Sequence, residues 1–164
     1  TLLLEFSSTI LCLILAGKVG SNIASEIGTM RITEQIDAME IMGVNSANYL
    51  ILPKILAFMT MVPFLFIIST AAGLIGGWAV GAFTDIITIL DYRIGVQYAF
   101  NPYFVWYAII KALVFAFVIT SMSSYYGYFV KGGALEVGRA STNAVVNSNI
   151  MILFLDLILS KLLL

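Results

Sequence analysis

Long apolar runs, separated by short polar stretches, dominate the hydropathy pattern of the chain. The runs lie at about residues 4–24, 50–83, 102–129 and 141–163. Each is long enough for a helix of about 20 residues, the length that crosses the hydrocarbon core of a bilayer. Because hydrocarbon offers no partner for backbone polar groups, segments of this kind cross it as helices. The pattern predicts an all-α, polytopic integral membrane protein with about four transmembrane helices.

The connection between the first two runs, residues 25–48, is rich in charges. It carries side chains that are too polar for a segment in hydrocarbon: Glu26, Arg31, Glu34, Asp37 and Glu40. Its larger apolar side chains recur at helical spacing: Ile32, Ile36 and Met39. Gly43 is typical of a residue that ends a helix. We therefore predict an amphipathic helix over residues 25–43, in water or at the membrane interface.

Basic residues predict which side of the membrane each connection faces. The first and third connections contain or adjoin most of them: Lys18, Arg31, Lys54, Lys131 and Arg139. The second connection, residues 84–101, contains only Arg93. Since cytoplasmic connections carry an excess of Lys and Arg, we expect the first and third connections on the cytoplasmic side. Aromatic residues that follow the second connection, among them Tyr107, suit the opposite membrane interface.

Composition agrees with a membrane protein and excludes other classes. Hydrophobic residues make up 61% of the chain and charged residues 10%, against about 25% charged in soluble domains. The net charge of −1, without a basic cluster, excludes a nucleic-acid partner. The chain has no histidine, and its one cysteine, Cys12, lies in an apolar run. We expect no catalytic site, no metal or other cofactor, and no ATP-binding loop in this chain.

Three ionisable residues lie inside the apolar runs: Glu5, Lys111 and Asp156. A charge at the centre of a bilayer costs at least about 2.5–3.5 kcal/mol, so such residues normally face the protein interior and pair. Counting about 1.5 Å per residue from the predicted cytoplasmic ends places all three at a similar level, in the outer half of the membrane. We predict one paired cluster. It is either a polar part of a transport path or an ion-pair group that only determines helix packing.

Small residues recur at every fourth position through the end of the first run and into the connection that follows it. They are Ala16, Gly20, Ala24 and Gly28. In lipid this spacing allows helix backbones to approach closely. The pattern fits packing within one subunit or packing between subunits.

Two stretches closely resemble the signature regions of the MlaE/YrbE permeases, the membrane subunits that work with MCE-domain proteins. Residues 16–43 read AGKVGSNIASEIGTMRITEQIDAMEIMG. Residues 125–146 read YYGYFVKGGALEVGRASTNAVV, and Leu155-Asp156-Leu157 follows in the last run. The resemblance covers nearly the whole chain. The N-terminal interfacial helix and the first spanning helix of the family have no counterpart, so we expect an N-terminal portion to be missing.

The resemblance implies a homodimeric permease that binds two cytoplasmic ATPase subunits and a ring of MCE-domain protein on the outer side. Some complexes of the family also hold a STAS-domain protein. The resemblance further implies phospholipid transport between membranes, with residues 1–164 forming one permease domain in the bacterial inner membrane. By the same resemblance, residues 25–43 match the coupling helix that docks on the ATPase. Glu5, Lys111 and Asp156 match charged positions near the lipid path.

The sequence leaves two functions open. The first is an ABC permease subunit, driven by a separate ATPase through residues 25–43. The alternative is an ion-coupled secondary transporter or channel that uses Glu5, Lys111 and Asp156 as a relay. The charged amphipathic segment and the lack of an inverted repeat favour the permease, because a secondary transporter needs no segment that docks on an ATPase. We do not expect an intramembrane enzyme, because the chain has no histidine.

Overall fold

Helices account for almost all of the computed structural model, which describes residues 2–83 and 89–163. Within these two ranges there are six helices and no strand. In chain order they are α1 (residues 2–32), α2 (Gln35–Ile41), α3 (Ser46–Phe83), α4 (Ile89–Ala99), α5 (Pro102–Tyr128) and α6 (Ala134–Leu163). Four of them, α1, α3, α5 and α6, are long and apolar enough to cross a membrane. The prediction of a polytopic all-α membrane protein is confirmed.

The first helix continues without a break through two kinds of helical geometry. Leu2–Ile10 and Ala16–Gly20 are π-helical, whereas Leu11–Leu15 and Ser21–Ile32 are α-helical. π-Helical turns are rare and occur frequently at functional sites. The first π-helical stretch contains Glu5. Helix α1 ends at Ile32, so it extends beyond the predicted end of the first span at residue 24 and includes the first part of the charged connection.

The predicted extent of the amphipathic helix, residues 25–43, is wrong, although a short helix is present there. The first part of this segment belongs to α1, and α2 begins only after Glu34. Glu34 has a left-handed backbone with a φ of 61°, which interrupts the helix. The Thr33 hydroxyl donates to the Thr29 carbonyl at 2.8 Å, a local bond that competes with regular helical hydrogen bonding. Helix α2 ends near Gly43 as predicted, where the φ of 80° suits glycine.

The other spans are confirmed with changed boundaries. Helix α3 begins four residues before the predicted start at 50, and α6 begins at Ala134 rather than near residue 141. The early turns of α6 contain Glu136 and Arg139, which lie outside the apolar run but can remain helical in water. The second connection contains α4, and its residues 84–88 lie outside the described residues.

Helix α5 packs against α1, α3 and α6. Side chains from these four helices form one apolar core: Cys12, Ala16, Phe58, Val62, Ala112, Phe115, Ala116, Ile119 and Ile152. A second, smaller core holds α2 against α1 and α3: Ile23, Ile27, Ile36 and Leu50. The helix that carries Lys111 is thus surrounded by the other three long helices.

Small residues of α1 lie where its backbone approaches α5 and α6. A Cβ atom at Gly20 would lie 2.8 Å from Ser123 Oγ. A Cβ atom at Gly28 would lie 3.2 Å from Val137 Cγ1. Both neighbours belong to the same chain, so packing within the subunit accounts for these two glycines.

Candidate functional site

A lysine inside the bundle connects three helices. The Lys111 side chain of α5 is 0% exposed and forms ion pairs with Glu5 of α1 and Asp156 of α6. The Nζ–Oε2 distance to Glu5 is 3.0 Å. The rings of Tyr107 and Phe115 flank the ammonium group, with centroids at 5.3 and 5.9 Å. The structure thus brings together the three charged residues that the sequence analysis selected.

Three hydroxyl groups join these charges. Thr9 Oγ1 donates to Asp156 Oδ1 at 3.0 Å and lies 3.3 Å from Glu5 Oε2. The hydroxyl oxygens of Tyr107 and Ser160 lie 2.9 Å apart, and Ser160 Oγ donates to Glu5 Oε1 at 3.3 Å. We refer to the whole group as the Lys111 cluster: Glu5, Thr9, Tyr107, Lys111, Asp156 and Ser160.

The charges of the Lys111 cluster are unequal in number and in burial. Two carboxylates face one ammonium group, so the cluster carries an excess negative charge when both carboxylates are ionised. Side-chain exposure rises from 0% for Lys111 to 18% for Asp156 and 39% for Glu5. Lys111 and Asp156 therefore form the inner pair, and Glu5 forms the accessible edge. The arrangement can pair with a charged group that approaches from the side of Glu5.

A second polar cluster joins the ends of four helices, at the end of the bundle that the basic residues predict to be cytoplasmic. The Tyr128 hydroxyl donates to Glu40 Oε1 at 2.8 Å, and the Ser46 hydroxyl donates to the same oxygen at 2.9 Å. Arg31 lies over the Tyr128 ring, with Cζ 5.6 Å from its centroid, and Nη1 donates to Asp37 Oδ1 at 2.7 Å. We refer to these five residues as the Tyr128 cluster. They come from α1, α2, α3 and α5.

Two hydroxyl donors favour the ionised form of Glu40. The Tyr128 hydrogen bond has the largest effect, the Ser46 hydrogen bond the next, and both lower the pKa of Glu40 from its usual 4.5. Desolvation, the next largest effect, opposes the shift, and the nearby positive charge of Arg31 adds a smaller lowering of this pKa. The hydroxyl oxygens of Tyr128 and Ser46 also lie 2.9 Å apart. The two hydroxyl protons therefore have three possible hydrogen bonds, two to Glu40 and one between the hydroxyl groups. Both protons point to the carboxylate when Glu40 is ionised.

Two further acids of the charged connection lie apart from both clusters. Glu26 of α1 pairs with Lys54 of α3, with a distance of 2.6 Å between Nζ and Oε2. Glu34 lies exposed at the break between α1 and α2. The structure therefore spreads the predicted charged segment over three separate environments.

The two basic residues of the third connection lie near the start of α6. Arg139 Nη1 pairs with Glu136 Oε1 at 2.9 Å on the same helix. Arg139 and Lys131 line one open groove of about 300 Å³ together with Tyr125 and Asn143. The structure does not bring these basic residues into either cluster.

A family model described as Permease MlaE matches residues 1–162 of the chain. The chain belongs to the MlaE permease family. The resemblance of residues 16–43 and 125–146 to this family is thereby confirmed, and the match includes the helices that carry both clusters.

Relatives of this MlaE permease occur in bacteria and in a plant. A probable ABC transporter permease protein of Rickettsia bellii is 39% identical over 96% of this chain and 61% of its own length. A probable ABC transporter permease protein of Synechocystis is 33% identical over 95% of this chain and 59% of its own length. Protein TRIGALACTOSYLDIACYLGLYCEROL 1, chloroplastic, of Arabidopsis thaliana is 33% identical over 96% of this chain and 45% of its own length. The chain thus spans no more than 61% of the length of these relatives.

The hydroxyl groups of the Lys111 cluster were not predicted from the sequence. Thr9, Tyr107 and Ser160 each lie four residues from a cluster charge on their own helix. Residues at this spacing share a helix face, so a polar residue one turn from an intramembrane charge was the available signal. The Tyr107 side chain is buried inside the bundle and contacts Ser160, so it does not face lipid as a member of an aromatic belt would.

The Tyr128 cluster had no comparable local signal. Glu40 and Tyr128 are 88 residues apart along the chain, and their contact depends on how α2 lies against α5. Glu40 was selected from the sequence for its charge, but Tyr128 and Ser46 were not predicted as its partners.

Proposed function

We propose that this chain forms part of the transmembrane permease subunit of an ABC transporter that moves phospholipid between inner and outer membranes. A separate ATPase drives the transport. Membership of the MlaE permease family and the names of the Rickettsia and Synechocystis relatives support this function. The observation that carries the proposal is α2, a short helix beside the spanning bundle whose C-terminal end exposes large apolar side chains.

The surface of α2 has the properties of a protein-docking site. Ile41 and Met42 are 87% and 72% exposed, and Glu34 lies exposed before the start of the helix. Exposed apolar side chains that lie next to each other often mark a contact with another protein. Most other charges of the segment are engaged within the chain: Glu26, Arg31, Asp37 and Glu40. Glu34, Ile41 and Met42 are therefore the residues that would meet a basic, partly apolar groove on the ATPase.

The Lys111 cluster supports a lipid path. Ionisable side chains inside spanning helices are costly and usually mark a transport pathway. The partly exposed Glu5 carboxylate can pair with the cationic group of a phospholipid head group while Lys111 remains bound to Asp156. A cluster that only determined helix packing would leave transport intact after a change at Glu5 that preserves folding.

The same charges favour a second candidate function, an ion-coupled secondary transporter or channel. In that function Glu5, Lys111 and Asp156 would relay protons or ions through the bundle. Reconstitution separates the two functions. Lipid movement that requires ATP and the partner ATPase supports the permease, whereas transport driven by an ion gradient without ATP supports the alternative.

The proposed assembly contains a second copy of the permease, cytoplasmic ATPase subunits and an MCE-domain protein on the outer side of the bacterial inner membrane. A STAS-domain protein is a further partner in this proposal. ATP hydrolysis belongs to the ATPase, and this chain acts as one permease domain without catalysis of its own. Purifying the complex from native membranes should recover an ATPase and an MCE-domain protein. A purified complex without an ATPase would contradict the proposal.

The docking of the ATPase at α2 can be tested by charge reversal. Changing Glu34→Lys together with Asp37→Lys should release the ATPase from the purified complex, because Glu34→Lys would present a positive charge to a basic groove and Asp37→Lys would break the ion pair between α2 and Arg31. Glu136→Lys is the matched control, since Glu136 is also a partly exposed acid that is paired with an arginine, at the third connection. Retention of the ATPase by the double variant would argue against docking at α2.

A further inference from the structure

Helix α2 is too short to hold its position by itself. It has only seven residues, and isolated helices of fewer than about 12 residues are marginal in water. One side chain of α2, Ile36, is buried in the smaller core. Met39 of α2 packs partly against the same core, and the polar contacts of Asp37 and Glu40 fix the position of α2 relative to α1 and α5.

The Glu40 contact connects α2 directly to α5. The Tyr128 hydroxyl of α5 donates to Glu40 at 2.8 Å, and Ser46, which is 2% exposed, donates to the same carboxylate. Arg31 covers the ring of Tyr128 and also pairs with Asp37 of α2. Arg31 thus covers the ring of Tyr128 while the hydroxyl bonds to Glu40, so Tyr128 is linked to α2 both directly and through Arg31.

Tyr128 and Lys111 lie on one unbroken helix. The two residues are 17 positions apart in α5, which corresponds to about 26 Å at 1.5 Å per residue. A helix of this kind moves as a unit, so a displacement of its Tyr128 end also displaces Lys111. The Lys111 ion pairs with α1 and α6 would respond to such a displacement.

We propose that Tyr128 is a positioning residue that ties α2 to α5 through Glu40, so that movement of α2 reaches Lys111 along α5. The proposal rests on the proposed function in one respect, because the ATPase docked at α2 supplies the movement. Without the Tyr128 hydroxyl, α2 moves without α5. ATP hydrolysis is then no longer converted efficiently into lipid transport.

The test uses the full-length permease in its complex, with Tyr128→Phe, Glu40→Ala and the double variant. Tyr128→Phe removes one hydroxyl group and keeps the ring under Arg31. Tyr125→Phe is the matched control, because Tyr125 lies on the same helix end, is 57% exposed and makes ring contacts that phenylalanine retains. The measurements are amide hydrogen exchange in residues 35–41 and the amount of lipid transported per ATP hydrolysed.

We expect Tyr128→Phe to increase exchange in residues 35–41 by about threefold or more, the effect of losing one hydrogen bond to a charged group that is partly accessible to water. Lipid transported per ATP should fall by a similar factor while the ATPase remains bound. The double variant should match Glu40→Ala, since both changes remove the same contact. Tyr125→Phe should match the wild type in every measurement.

Unchanged exchange in Tyr128→Phe, or additive effects in the double variant, would overturn the tie between α2 and α5. Faster exchange with a wild-type ratio of lipid to ATP would overturn its role in coupling and leave the proposed function intact. A wild-type complex that moves lipid without ATP would overturn the proposed function. The exchange measurement would still decide whether Tyr128 holds α2.

Discussion

Helix α5 carries two polar clusters that differ in their surroundings. The Lys111 cluster lies inside the bundle, where the lysine is 0% exposed and contacts two carboxylates. The Tyr128 cluster lies at the helix end, where Glu40 is exposed and is bound by two hydroxyl groups. Water can replace a lost partner of Glu40, but it has no access to Lys111.

Because of this difference, the Lys111 cluster matters for the stability of the folded protein, whereas the Tyr128 cluster can take part in movement. A buried charge that loses its partner retains the full cost of desolvation, so the Lys111 pairs must remain satisfied in the folded protein. An exposed contact contributes little to stability because water competes for each partner. The Tyr128 cluster can therefore change during a transport cycle at low energetic cost, whereas changes in the Lys111 cluster require a compensating partner.

The largest expected effect is that of Lys111→Ala. This change leaves Glu5 and Asp156 facing each other without a cation, and removing one partner of a buried pair costs about 3–5 kcal/mol. Glu5→Ala should cost much less, about 1 kcal/mol, because Lys111 keeps its contact with Asp156 and Glu5 is partly exposed. The free energy of unfolding in detergent, measured for both variants, tests the order. Equal losses would contradict the central role of Lys111.

An intermediate effect is expected from Gly127→Ala, which changes the packing beside Tyr128 and removes no partner of Lys111. A Cβ atom at Gly127 would lie 2.7 Å from the backbone oxygen of Ala24, so α1 and α5 must separate. Overpacking of this kind costs about 1–3 kcal/mol. The thermal midpoint of the purified protein should fall, and amide hydrogen exchange at the ends of α1 and α5 near Tyr128 should increase.

Gly17→Ala is the control for this change. A Cβ atom at Gly17 would meet nothing within 4 Å. Replacing a helical glycine with alanine then raises stability by up to about 0.5–1 kcal/mol. A decrease for Gly17→Ala as large as that for Gly127→Ala would show that the effect is not specific to the approach of α1 to α5.

The smallest expected effect is the dependence of the Glu40 contact on pH. The pKa of Glu40 is lowered in the folded protein, so its contribution to stability is present above the ordinary value of 4.5 and is lost as the pH falls through the lowered value. Tyr128 and Ser46 produce most of this lowering of the Glu40 pKa, and Arg31 adds to it. The thermal midpoints of the wild type and of Glu40→Gln should differ by a small amount. This difference should not change measurably between about pH 5 and pH 8. It should shrink only below pH 4.5.

A difference that instead disappeared between pH 6 and 7 would show that another group controls the contact. The Glu40→Gln difference should show the same acid transition in the wild-type and Lys111→Ala backgrounds, because the two clusters share no titratable residue. Measuring this difference in both backgrounds over the same pH range therefore tests whether the clusters are independent in stability.

Hydropathy was sufficient to predict the four spanning helices, because hydrocarbon requires every backbone polar group to bond within its own helix. It was also sufficient to select Glu5, Lys111 and Asp156, since ionisable residues in apolar runs are rare and must find partners. The ends of α1 and α6 were predicted less well. Helices that leave the membrane can continue into water, where hydropathy does not indicate their ends.

The amino-acid sequence by itself determined the all-α membrane architecture, the family of the protein and the three charges that meet inside it, because each depends on local composition or on a local motif. Only the tertiary structure decided that Glu34 interrupts the charged segment and that Tyr128 meets Glu40. It also decided that Glu5, rather than Asp156, lies at the accessible edge of the Lys111 cluster. These features depend on how separate helices lie against one another, and no spacing along a single helix contains that information.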